Sequence, residues 1–483
     1  KHKMKLILNF INFKLKFLFL LFLGISLLAA PGDFVKDIKI DELDFHIPKV
    51  SKEDLNPNLK FYSIYSDKFP ITYLEIAFYA GEADTEGNGI EIPALLSEVL
   101  RFGGSKKYPE ETMLSKLESL GAGLSVSSDY DKITINVSYL SRDENTILDI
   151  LQDLIQNPVF SEQALTNGKK KMIEMIARRN ERTDSLGFRK AKELFYRGLL
   201  AGKVSQATSI ENIKMEDLKS FWQLAQSRKK RISVTGLFDS NKIKLSFNEI
   251  LPAANSNKPI NRENVSQEIL SKSLKEYKYK NLIITKDVNQ SMVLMIGSLP
   301  RHNDKDFYAL QILDYIIGGG GFNSYMMQQI RVDKGLAYSS SSYPIFKKQH
   351  GILYAYTLTK NQSLLQVHDL MKTILSEETF AKIKEKEIED AKRSINNQFV
   401  FLFVNNNRIV SNQVSFDEDE MPENYLENYQ KNINSVTLAD ILRVGKKYFT
   451  FDQLKTVIVT NKDSADKLPL ENVKVILPED SVE

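Results

Sequence analysis

Residues 71–84 read ITYLEIAFYAGEAD, with Leu74, Ile76 and Phe78 alternating with other side chains before a turn. That two-residue period predicts a strand with one buried face. Residues 291–304, SMVLMIGSLPRHND, have the same shape. An apolar helical stretch follows each strand, near 94–102 in the first half and near 307–317 in the second. Both helices run into glycines, Gly103 and Gly104 in one case and Gly318, Gly319, Gly320 and Gly321 in the other.

The parallel continues along the chain. Strand ITINVSYL (133–140) matches strand GILYAYTL (351–358), and an amphipathic helix follows each, near 145–156 and 363–376. Charged helices with an apolar face come next, near 162–182 and 378–397. Each half closes on a β-rich segment, RISVTGLF (231–238) and KTVIVTNK (455–462). Five elements in matched order predict an internal repeat. The fold class that follows is α+β: two tandem homologous domains, each a mostly antiparallel sheet packed against helices. The expected bounds are 31–250 and 276–475. A linker is expected over 251–275, where LPAANSNKPINRENVSQ carries Pro, Asn and Ser with little periodicity.

The N-terminus follows a different pattern. Lysines at 1, 3, 5, 14 and 16 precede the uncharged run FLFLLFLGISLL and then Ala29 and Ala30. A basic lead, a short apolar core and small residues predict a secretory signal over residues 1–30 and export, with a periplasmic location. An uncleaved membrane tether is the alternative. Without the five lysines of residues 1–30 the formal net charge falls from +3 to −2. The remainder therefore offers no basic surplus for nucleic acid. With no cysteine, disulfides, thiol catalysis and thiolate metal sites are excluded.

The most informative stretch is GGGGFNSYMMQQIRVDKGLAYSSSS, residues 318–342. It resembles the second-domain signature of the pitrilysin/insulinase family of zinc metallopeptidases. In that signature a glycine-rich turn leads into a helix, an Arg and, seven positions on, a Tyr. Here these are Arg331 and Tyr338. The resemblance extends over most of residues 60–465. In the first domain the family carries H-x-x-E-H on a helix, whose two imidazoles share one face and bind zinc while the Glu serves as base. Aligned on FGGSKKYP (102–109), that motif falls on Leu95, Leu96, Ser97, Glu98 and Val99. The third ligand position falls at Met175, beside Glu174. After Gly121, Ala122, Gly123 and Leu124, Ser125 and Val126 replace the family's usual Asn-Ala on a substrate-pairing edge strand.

The resemblance therefore implies a chain without a metal site of its own. Hydrocarbon side chains offer no lone pair, and catalytic zinc needs about three protein ligands. No other pair among His46, His302, His350 and His368 has helical metal-ligand spacing. The family's division of labour further implies a non-catalytic, Arg/Tyr-bearing subunit, inactive alone. A homologous partner would supply zinc, the two chains would close like a clam around a peptide or unfolded protein substrate, and Arg331 and Tyr338 would hold its backbone. The competing expectation is a structural or peptide-binding scaffold in which both residues only stabilise the fold.

Overall fold

The computed structural model describes residues 48–85, 89–251 and 262–482. The expected leader (1–30), His46 and the first part of the expected linker lie outside the described residues. No helix among the described residues is long and apolar enough to cross a membrane.

Two six-stranded sheets form the frame. The first takes β1 (Ser51–Asn56), β2 (Leu59–Tyr65), β3 (Ile71–Phe78), β4 (Gly123–Ser128), β5 (Ile133–Leu140) and β6 (Lys230–Gly236), in the order β1-β2-β6-β3-β5-β4. The second takes β7 (Asn281–Thr285), β8 (Gln290–Leu299), β9 (Ala337–Phe346), β10 (Gly351–Lys360), β11 (Lys455–Thr460) and β12 (Val473–Ile476), in the order β12-β7-β11-β8-β10-β9. Antiparallel pairing dominates. The parallel pairs are β2 with β6, β7 with β11 and β7 with β12. The internal repeat is thus a structural one, strand for strand from β2 to β6 and from β7 to β11. The outermost pairs break the symmetry, since β1 is antiparallel to β2 and β12 parallel to β7.

In the first half, the helices that matter for the site are α1 (Ile92–Gly103), α2 (Glu144–Gln156), α3 (Glu162–Arg178), α4 (Thr183–Phe195) and α5 (Met215–Ser227). Those of the second half are α6 (Phe307–Asp314), α7 (Leu364–Ile374), α8 (Glu385–Phe399) and α9 (Asn406–Glu418). Their apolar stripes cover one face of each sheet. Leu95, Leu96, Val99 and Leu100 of α1 join Ile147, Leu151 and Leu154 of α2 over Leu74, Ile76 and Ile135. Leu310 and Leu313 of α6, with Val367 and Met371 of α7, do the same over Val293 and Met295. Alternation along the strands and a 3.6-residue period along the helices place these side chains inward.

The opposite faces are covered by exchange between the halves. Helix α4 belongs by sequence to the first half but packs on β8 and β11 of the second. Its Leu186, Ala191, Leu194 and Phe195 are buried with Leu282, Ile284, Met292, Leu294 and Val459. In return α9 of the second half lies against β2 and β6 of the first. That contact is largely polar: Asp417 accepts from the Tyr62 hydroxyl at 2.9 Å and pairs with Lys52 at 2.8 Å. Glu418 pairs with Lys132 and accepts from the Tyr79 hydroxyl. Helix Gln267–Glu276, inside the segment expected to be a linker, buries Leu270 and Leu274 in the second half's core. Its Ser266 N-cap accepts from the Ile269 amide, a start signal outweighed in the sequence by the surrounding Asn and Pro.

Candidate functional site

The three aligned metal positions are spread between core and surface. Leu95 and Val99 sit one turn apart on α1, and both are 0% exposed in the hydrophobic core. Gly168 of α3 lets this happen. A Cβ there would stand 2.8 Å from the Leu95 Cδ1, so α1 and α3 approach through a glycine while leucine fills the gap. Met175, two turns further along α3, is 63% exposed. Glu98 is partly buried, and its Oε1 accepts from the Lys171 Nζ at 2.6 Å. Lys171 of α3 thus sets an ammonium beside the carboxylate of α1, a cross-helix ion pair. Zinc does not fit this donor set: one carboxylate is already engaged, and the two facing positions are hydrocarbon. Among the described residues no group of three His, Asp or Glu side chains could hold a metal ion.

The histidines are placed by packing. His302 Nδ1 lies 2.8 Å from Asp419 Oδ2, and its ring packs against Phe307 and Tyr425. His368 packs edge-on against Phe451. Burial pushes the His350 imidazole down to about 4, with the Tyr196 hydroxyl 2.8 Å from its Nε2. It is neutral at physiological pH.

The Arg/Tyr pair has the opposite character. Ile330 and Met326 are fully buried and anchor the turn Met327–Val332 to the second core. Arg331 is thereby turned outward. Gly335, at φ +63°, reverses the chain into edge strand β9, which begins at Ala337. Tyr338 therefore returns beside Arg331, with the guanidinium carbon 4.7 Å from the ring centroid. Phe322 lies 4.9 Å away as a second ring against the same guanidinium. Tyr338 is 79% exposed and Phe322 58%. The Tyr338 hydroxyl makes no hydrogen bond among the described residues. Stacking uses the guanidinium faces and leaves its edge N–H groups to donate. Such an exposed array of donors and rings suits peptide carbonyls and apolar side chains. Sequence reasoning missed Phe322, and the available signal was an aromatic side chain directly after the glycine run.

The glycine run sits behind this array. A Cβ on Gly318 would stand 2.3 Å from the Ser342 amide nitrogen of β9, and one on Gly319 would stand 2.4 Å from Asp314 Oδ2. The turn thus needs bare backbone for close approach to the strand. Under it, buried Asp314 accepts from the Ser342 hydroxyl at 2.5 Å, and burial pushes its carboxyl up to about 7. The folded state therefore holds a proton that the unfolded chain has released above about pH 4. Stability is retained below that pH and falls as pH rises toward 7, by on the order of a few kcal/mol. Thermal melts across pH 5 to 8 are expected to show a steeper loss in the native protein than in Asp314→Asn. Parallel curves would remove Asp314 from this role.

Comparison with known proteins matches two segments of the chain. Residues 84–205 match the profile of insulinase, peptidase family M16, and residues 213–395 match that of the peptidase M16 inactive domain. A Helicobacter pylori protein described as the non-peptidase homolog YmxG is 24% identical over 402 residues, covering 81% of this chain and 90% of that protein. An uncharacterized zinc protease of Rickettsia felis is 23% identical over 376 residues, 75% of this chain and 86% of its own length. The solved structure of a peptidase M16 inactive domain from Pseudomonas fluorescens superposes with a TM-score of 0.74 at 19% identity, over 86% of this chain and 99% of its own. A protease from Helicobacter pylori does so with a TM-score of 0.71 at 16% identity, over 86% and 100%.

Proposed function

Since the chain belongs to the insulinase (M16) peptidase family, we propose that it is a non-catalytic subunit, one that positions an extended peptide at the zinc site of a homologous partner. The observation that carries this reading is a contrast within one molecule. Where relatives would bind metal, Leu95 and Val99 are sealed in the core and Glu98 is paired with Lys171. Arg331, half-buried, and the exposed Tyr338 stand together at the surface. A residue pair kept solely for folding gains little from such exposure. In this role Arg331 donates to substrate carbonyls and the Tyr338 hydroxyl donates to the oxyanion that forms at the partner's zinc. The chain would work outside the cytoplasm if residues 1–30 act as the secretory signal their pattern predicts.

Purification from the native source tests this directly. A stoichiometric M16 homologue bearing H-x-x-E-H is expected to accompany the protein, and the separated chain is expected to carry no equivalent of zinc. A solitary chain holding a full equivalent of metal would overturn the reading.

A further inference from the structure

The position of the missing third ligand opens on a second feature. Met172, Met175, Ile176 and Arg179 recur at helical spacing along α3 and its C-cap, so they share one face. Opposite them, Arg189 and Lys192 share a face of α4. Together with Glu82, Lys203 and Ile210 they line a cleft of about 330 Å³. Among the described residues that line it, the charged side chains are Arg179, Arg189, Lys192, Lys203 and Glu82.

The two arginines are held in place, and Arg179 is left without a counter-charge among the described residues. Arg189 is committed, pairing with Glu193 at 2.5 Å and donating to Asn180. Arg179 donates to the Ser205 carbonyl at 2.5 Å, which fixes the loop forming one wall. No carboxylate among the described residues lies within ion-pair distance of Arg179. Lys192 is exposed at the rim and near Glu82, whose carboxyl burial pushes up, an effect the ammonium only partly offsets. Among the described residues the buried Nε of Arg189 has no partner. Beside these groups lies an apolar wall of two stiff isoleucines and two methionines, the latter flexible enough to adapt to varied shapes.

We propose that this cleft binds an amphiphilic carboxylate, with the carboxylate received by Arg179 and Lys192 and the neighbouring apolar group against Met172, Met175, Ile176 and Ile210. A planar guanidinium matches a carboxylate in two-point geometry, and a charge-assisted pair on an apolar floor excludes water from one side. Two sources share this chemistry: the C-terminus of a peptide ending in an apolar residue, and a free medium-chain carboxylate. The site needs no partner chain and no zinc, so it stands or falls apart from the subunit role proposed above.

Fluorescence anisotropy on the full chain tests it, with an N-terminally labelled neutral peptide ending in leucine as probe, in free-acid and C-terminal amide forms. The acid is expected to bind about tenfold or more tightly than the amide, and Arg179→Gln to abolish that preference. Lys192→Gln, an exposed change that spares the loop, is expected to weaken the acid severalfold. Met175→Glu is expected to do so more strongly by placing a like charge at the mouth. Displacement by octanoate at a concentration comparable to its own affinity assigns the site to free carboxylates, and failure to displace assigns it to peptide ends. Equal binding of acid and amide, or affinity for both peptide and octanoate unchanged in Arg179→Gln and Lys192→Gln, would overturn the proposal.

Discussion

Arg331→Ala, in a complex reconstituted with a zinc-bearing homologue, is expected to lower kcat on a quenched fluorescent peptide by about 10²–10³-fold, because it removes the guanidinium on which Tyr338 stacks and so misplaces the hydroxyl that donates to the developing oxyanion. Tyr338→Phe separates the two contributions. It keeps the ring that stacks on the guanidinium, so Arg331 stays positioned, and it removes only the hydroxyl. A kcat effect as large as that of Arg331→Ala, with KM nearly unchanged, marks a contact made in the transition state. Phe322→Ala should raise KM more than it lowers kcat, because it loosens one face of the stack 4.9 Å from the guanidinium without deleting a donor. If both Arg331→Ala and Tyr338→Phe leave activity intact, the chain is a scaffold and the exposed stack has another use.

The second large effect concerns the exchange of helices. Leu186 is 0% exposed, in a core it shares with Met292, Leu294 and Val459 of the other half. Leu186→Ala should cost about 2–5 kcal/mol, the transfer free energy of the lost methyl groups plus a cavity that sheet and helix cannot close. The more telling result is the form of the melt. Because α4 covers the second sheet and α9 covers part of the first, the halves should unfold in a single transition that moves down as a whole. Calorimetry resolving two transitions, only one of them shifted, would show that the exchange does not couple the halves. The reverse contact is more polar and partly exposed. Asp417→Ala, which strips partners from Tyr62 and Lys52, should therefore cost less, on the order of 1 kcal/mol.

Much of this was legible in the chain because it depends on local periodicity. The alternation through Leu74, Ile76 and Phe78 and its echo in 291–304 determined two sheets of the same plan. The helical stripes near 145–156 and 363–376 were each readable within a dozen residues. That Leu95 and Val99 cannot ligate metal was equally local, since a side chain without a lone pair cannot do so in any fold. Helix Gln267–Glu276 was obscured because the Asn- and Pro-rich residues before it outweigh two leucines spaced by one turn.

What tertiary structure alone decided are relations between distant segments. No period in residues 183–195 says which sheet their apolar face will cover, because a stripe specifies burial and not the partner. Nothing in Lys171 announces that it will neutralise Glu98, 73 residues away in the chain. The stacking of Phe322 and Tyr338 on Arg331, and the meeting of the α3 and α4 cations over one cleft, likewise arise only when packing brings remote side chains within a few ångströms. Sequence fixes which groups are available and how far each reaches along its own element. The geometry that turns them into a site is set by how those elements pack.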